Sequence, residues 1–149
     1  MEIKELDFIY EEGERLLRGE PSSDWKRLGK YLVNEGTSDK REVISYATIL
    51  MLHLLKCEYQ PEKTSKSWHN SIEDSSDSLQ IDIEQSKVLY NCLKTGIDKA
   101  YTRARSKASR ETNLPLSTFP KECPYIVDDL LNDDWIYNFL EEHPIVEWK

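Results

Sequence analysis

An all-α fold, a single-domain helical bundle, is predicted for this chain of 149 residues by three features. Apolar residues recur at helical spacing along most of its length. The strict two-residue alternation of half-buried strands is nearly absent. Only five glycines and six prolines occur, so breaks in regular structure are few. About five main helices with short helices near the C-terminus account for the pattern, in one helical domain over residues 1–149. A domain of this length buries roughly 70% of the surface its unfolded chain exposes, enough for a core without disulfides or metals.

Each element has its own signal. Ile3, Leu6, Ile9 or Tyr10, Gly13 and Leu16–Leu17 mark a first amphipathic helix that Gly19–Glu20–Pro21 ends. Ser22 or Ser23 is expected to cap a second helix through Trp25, Leu28 and Leu32, closed at Asn34–Glu35–Gly36. A third, capped by Ser38, runs through "DKREVISYATILMLHLLKCEY" and stops before Pro61. Its apolar arc carries Ile44, Ala47, Met51, Leu54 and Leu55 and leaves a narrow polar strip, which marks it as central. Thr64 or Ser65 is expected to cap a fourth helix with a thin stripe of Trp68, Ile72 and Leu79, in which "EDSSDS" is weak helix material expected to fray. From about Asp82 to Thr112 a long helix follows, with Gly96, Ala100, Ala104 and Ala108 repeating every four residues so that a neighbour can approach closely. "LPLSTFPKECPY" is an irregular connector, holding three prolines within ten residues. Short helices at "IVDDLL" and "DWIYNFLEEH" complete the chain.

Composition narrows the function. No run of 18 apolar residues exists, so no membrane span is expected. The acidic, amphipathic start "MEIKELDFIYEEGERL" lacks the basic opening and apolar run of a signal peptide. Cys57, Cys92 and Cys123 lie far apart without a C-x-x-C, which suits reduced thiols and a cytoplasmic protein. A net charge of −8 disfavours nonspecific nucleic-acid binding by the molecule as a whole.

Two stretches are more specific than a helical pattern requires: H-L-L-K-x-x-Y-Q-P followed by S-W, and E-T-x-L-P-x-S-x-F-P-x-x-C-P-Y. In "LHLLKCEYQPEKTSKSW" and "ARSKASRETNLPLSTFPKECPYIVDDLLNDDW" the chain resembles the bacterial domain of unknown function 29. "DFIYEEGERLLR" and "EGTSDKREVISYATILMLHLL" are similar to its N-terminal half. The resemblance implies a small helical bacterial protein and supplies no activity. Cys57 stands where that family usually carries an aromatic, so the resemblance implies no shared thiol chemistry there.

His53, Lys56, Gln60 and Trp68 form the sharpest candidate cluster. The first three lie at i, i+3 and i+7 on one helical side, and Trp68 folds back after the Gln60–Pro61 turn. An imidazole beside an ammonium can act as a base, or the group can hold an anion. The alternative is structural, with His53 and Gln60 satisfying backbone groups where one helix ends, and it is favoured because spacing places no acid or nucleophile with them. His53 and Cys57, at i and i+4, with Cys92, His69 or Cys123, make a weak case for zinc, and no metal or other cofactor is expected. No G-x-S-x-G, H-E-x-x-H or phosphate-cradling glycine loop occurs, so no catalytic residue is assigned.

A basic face, Lys99, Arg103, Lys107 and Arg110, falls within about 80° on the long helix. Residues 122–147 carry eight carboxylates and no lysine or arginine. Intramolecular neutralisation of the stripe by that segment is therefore expected, with at least two of the four cations in ion pairs. Trp135, Tyr137, Phe139 and Trp148 give the C-terminal segment enough aromatic surface to cover the core or form a dimer patch. The function favoured by these features is a non-enzymatic interaction protein whose aromatic C-terminal region or hinge surface binds itself or another protein. Alternatives are a nucleic-acid-associated protein using the basic face and an enzyme centred on His53 and Lys56.

Overall fold

A computed structural model describes residues 3–146, with side chains described from Glu5 onward. Its elements are α1 (Ile3–Leu17), α2 (Trp25–Tyr59), α3 (Lys66–Glu84), α4 (Lys87–Thr112), α5 (Val127–Leu130) and α6 (Asp133–Glu142), with single 3₁₀ turns at Pro61–Lys63 and Leu116–Thr118. No strand occurs among the described residues, and the predicted all-α class is the one observed. The chain divides into two compact units, residues 1–39 and 40–149. Trp148 lies outside the described residues, as does the side chain of Ile3.

In the first unit α1 ends where the sequence indicates. Gly19 takes a φ of 78°, which a side chain would strain, and Gly19 N–H donates to Leu16 O while Glu20 N–H donates to Arg15 O. This reciprocal pair satisfies the last carbonyls of the helix. Glu12 is buried, and its carboxylate accepts from the Ser22 hydroxyl at 2.9 Å and from the amide and hydroxyl of Ser23. The Ser23 hydroxyl holds Glu12 below the usual carboxylate range. With both serines engaged on Glu12, neither caps α2. Asp24 does so instead, accepting from Arg27 N–H at 3.0 Å. The Arg27 guanidinium reaches Glu5 at 2.8 Å and lies 3.8 Å from the centre of the Phe8 ring.

The two helices expected on either side of Gly36 are one, α2, 35 residues long. Gly36 has open space where a side chain would stand and does not take a positive φ. Thr37 donates to Val33 O at 3.0 Å, keeping its hydroxyl inside the helical register. A glycine in a helix interior costs about 1 kcal/mol, which a helix anchored further along can absorb.

In the second unit, Val43, Ala47, Leu50, Met51, Leu54, Leu55 and Cys57 of α2 have no exposed surface, so this part of α2 is the central element, as its narrow polar strip indicates. Around it pack Ile72 and Leu79 of α3, Leu93, Ala100, Tyr101, Ala104 and Ala108 of α4, and Leu130, Ile136, Phe139 and Leu140 from α5 and α6. The small-residue repeat does what its spacing suggests. A Cβ on Gly96 would lie 2.6 Å from Cδ1 of Ile44, and the three alanines that follow are fully buried.

The serine-rich stretch of α3 does not fray. The Ser75 hydroxyl donates to Ser71 O at 2.5 Å and the Ser76 hydroxyl to Leu130 O at 3.3 Å, so polar groups that weaken an isolated helix are satisfied here in a packed one. Ser65 caps α3 through Trp68 N–H at 3.2 Å. Ser86 caps α4 through Leu89 N–H at 3.2 Å, which moves the start of α4 from the expected Asp82 to Lys87. Asn113, at φ 61°, closes it in the left-handed conformation.

Continuity of α2 makes a signed prediction. Gly36→Ala should raise stability by about 0.5–1 kcal/mol in denaturant titrations followed by helical circular dichroism. A helix ending at Gly36 in a left-handed cap would instead lose stability on the same substitution.

Candidate functional site at the joint of two motifs

The two specific sequence stretches fold against each other. The end of α2 and its turn supply one side, and the end of α4 with the proline-rich connector supplies the other. Lys56 is 7% exposed, and its ammonium reaches Glu111 Oε1 at 3.1 Å while sitting 4.9 Å from the centre of the Trp68 ring. Gln60 is buried, and its Nε2 donates to Thr112 O at 3.3 Å. That carbonyl belongs to the last residue of α4 and has no acceptor role inside the helix, so Gln60 acts as a tertiary C-cap.

Three of the four cluster residues are thus brought together with a partner that spacing did not reveal, Glu111. A signal for it existed. A lysine within the apolar, buried second half of α2 needs a carboxylate, and Glu111 opens the second motif. His53 hydrogen-bonds elsewhere, its Nδ1 donating to Ile49 O at 2.8 Å, one turn back on α2, while it stays within the electrostatic reach of Lys56 and Glu111. This bond fixes the tautomer with Nε2 unprotonated in the neutral ring. Burial, with a smaller contribution from Lys56, lowers the pKa of His53 below 6.5.

The connector clamps over this joint. Phe119 is buried and meets Tyr59 edge-on at 5.3 Å. Its carbonyl accepts from Arg105, and the next carbonyl, Pro120 O, accepts from Tyr101 Oη at 2.6 Å. Tyr125 Oη donates to Glu58 at 3.1 Å. Backbone that cannot pair within a helix is therefore paired by side chains of α4. The C-terminal aromatics continue the cover: Trp135 stacks on Phe139 at 5.7 Å, and Phe139 stacks on His143 at 4.1 Å. Of the two roles open to them, Trp135 and Phe139 take the core-covering one, whereas Tyr137 is exposed. Further on, His69 Nε2 donates to His143 O at 2.6 Å and Val146 N–H to Thr64 O at 2.9 Å, strapping the chain end across the turn.

The sulfur and imidazole groups considered for a metal are dispersed. Cys123 Sγ lies 3.9 Å from Met51 Sδ, Cys92 Sγ is 4.0 Å from Lys40 O, and His69 is engaged as above. Among the described residues no group of three or more His, Cys, Asp or Glu side chains is placed to hold a metal. Burial pushes the Cys57 thiol up to about 11, with the Thr64 hydroxyl beside it acting the other way, so at neutral pH it is a protonated, apolar-packed group.

The expected neutralisation of the basic stripe does not occur. Lys99, Arg103, Lys107 and Arg110 are all exposed, and among the described residues no carboxylate lies within salt-bridge distance of any of them. Asp128 instead accepts from Tyr90 Oη at 2.7 Å and Asp133 from Gln80 Nε2 at 2.8 Å. The reason is energetic. Exposed ion pairs contribute about 0.2–1 kcal/mol each, whereas burying one large apolar side chain contributes about 1.5–3 kcal/mol. Leu130, Ile136 and Phe139 therefore decide where α5 and α6 dock, and they dock against α3 and the first turns of α4.

The lowered pKa of His53 has a signed consequence. Between the folded pKa and 6.5 the unfolded chain binds more protons than the native one. The stability associated with neutral His53 is complete above 6.5 and is lost as pH falls through that window. His53→Gln should therefore flatten the fall of stability below pH 6.5 in denaturant titrations, while costing about 0.5–1.5 kcal/mol at neutral pH. An unchanged acid slope would contradict a half-buried imidazole kept neutral by its surroundings.

The family model for the domain of unknown function DUF29 matches residues 12–136. No curated protein and no solved structure matches the chain. The matched range contains both motifs, the Lys56–Glu111 contact and the connector that covers it, and the chain belongs to the DUF29 family.

Proposed function

We propose that this protein is a non-enzymatic, self-associating interaction module whose contact surface is the helical pair of its first unit. One observation carries the reading. Leu6, Tyr10, Leu17, Trp25, Leu32 and Val33 are exposed there, while Leu28 is the buried apolar side chain among the described residues of that unit. Leu6, Tyr10 and Leu17 share one stripe of α1, and Trp25 and Leu32 share one stripe of α2. Units below about 40 residues usually depend on oligomerisation, disulfides or metals to bury enough apolar surface.

Charge favours a second copy as the occupant. Beside the internal Glu5–Arg27 and Glu14–Arg18 pairs and the buried Glu12, α1 still presents exposed Asp7 and Glu11, whereas the opening of α2 presents exposed Lys26 and Lys30. In a two-fold arrangement each acidic helix lies beside the basic helix of its mate, giving a four-helix contact with complementary rims. The polar cluster supports the non-enzymatic part of the reading, because Lys56, Gln60 and Trp68 are turned toward their own fold. No helix among the described residues is long and apolar enough to cross a membrane. Three unpaired cysteines favour a reducing, cytoplasmic setting.

Light scattering or sedimentation of the full chain at about 100 µM should give a dimer mass, consistent with the micromolar or tighter affinities of such contacts. Leu6→Asp with Leu32→Asp should give a monomer of unchanged helical content. A monomeric parent protein at that concentration, or a dimer indifferent to both substitutions, would overturn the proposal.

A further inference from the structure

We infer that the uncovered stripe of α4 is a docking track for the phosphate backbone of nucleic acid, independent of the apolar surface of the first unit. Lys99, Arg103, Lys107 and Arg110 lie at i, i+4, i+8 and i+11, a row about 16 Å long at 1.5 Å per residue. All four are exposed and, among the described residues, without an ionic partner. Arg105, the cation just outside the row, is the one engaged within the fold, donating to Phe119 O at 3.2 Å. A row of diverging cations cannot converge on one small anion, but it can follow a linear array of charges.

The chemistry of the row selects among linear polyanions. Its exposed neighbours on the same side are Thr95, Thr102 and Ser106, with Glu111 at its end turned to Lys56, and none of them is apolar. A membrane-surface helix needs apolar side chains to insert beside its cations, and the row has none. An acidic protein partner would gain only about 0.2–1 kcal/mol per exposed ion pair and would need an apolar seam to hold it. Nucleic acid needs no such seam, because displacing condensed counterions supplies the attraction. The net charge of −8 sets the strength of this contact. At physiological salt, fields are screened over about 8 Å, so the row acts locally while distant carboxylates are muted. The resulting contact is weak and without sequence preference, in the range of about 10⁻⁴–10⁻⁶ M.

The test is fluorescence anisotropy of the full chain with a labelled random-sequence DNA duplex, an RNA duplex and polyglutamate, from about 50 to 200 mM salt. Binding to the duplexes with a log–log salt slope of about −3 to −4 is expected, as four phosphate contacts require. Arg103→Gln with Lys107→Gln, both at exposed positions, should weaken binding at least about tenfold and bring the slope near −2. Lys63→Gln and Lys121→Gln, exposed cations outside the row, should leave both unchanged. The inference is overturned by no duplex binding at the lowest salt, by binding insensitive to the Arg103–Lys107 pair, or by polyglutamate binding as tightly as the duplexes.

Discussion

A lysine ammonium held beneath the surface of a helical core, with one carboxylate and one indole as neighbours, is the constraint around which the second unit is arranged. Lys56 is carried by the helix segment whose other side chains are almost all apolar and fully buried. Taking a charge out of water costs several kcal/mol after relaxation, and one good partner with further polar contact is needed to offset it. Glu111 and the Trp68 face provide that, and they can do so only if the end of α4 and the start of α3 meet at the end of α2. The turn at Pro61–Lys63, the Ser65 cap and the Gln60 bond to the last turn of α4 each serve this convergence.

The connector follows from the same constraint. Because α4 must end beside Lys56, the chain has to cross the open end of the bundle before α5 begins. It crosses as irregular backbone, whose carbonyls need partners. Tyr101 and Arg105 meet that need, one turn apart on α4. The long sequence specificity of "LPLSTFPKECPY" is thereby accounted for physically. Prolines hold the path, Phe119 and Tyr125 fill it, and fixed side chains of α4 receive it.

The legible features are those set by local chemistry or by strong periodicity. The central role of the second half of α2 was readable from its narrow polar strip. The close approach along α4 was readable from Gly96 and the alanines that follow, and the cap of α3 from Ser65. What was not readable depended on partners distant in sequence. Ser22 and Ser23 look like caps until Glu12 is brought to them. "EDSSDS" looks weak until Leu130 O accepts from Ser76. Gly36 looks like a stop, yet one glycine penalty is small against the packing that α2 gains further on. The acidic C-terminal segment looks like a match for the basic stripe, but charge complementarity at the surface is too weak to choose a docking site against buried leucine, isoleucine and phenylalanine. A carboxylate partner for Lys56 was legible as a need, but nothing local identifies Glu111, 55 residues further along, as the one that meets it.

The central claim is that Lys56 and Glu111 act as one unit joining the two motifs. A double-mutant cycle with Lys56→Met and Glu111→Gln, read by denaturant titration, measures it directly. The account predicts a coupling of about 1–2 kcal/mol, with Glu111→Gln more damaging by itself than when Lys56 is also replaced, because removal of the charge removes the need for its partner. Additive effects, with coupling below about 0.3–0.5 kcal/mol, would contradict the account and leave the two motifs as separate structural features.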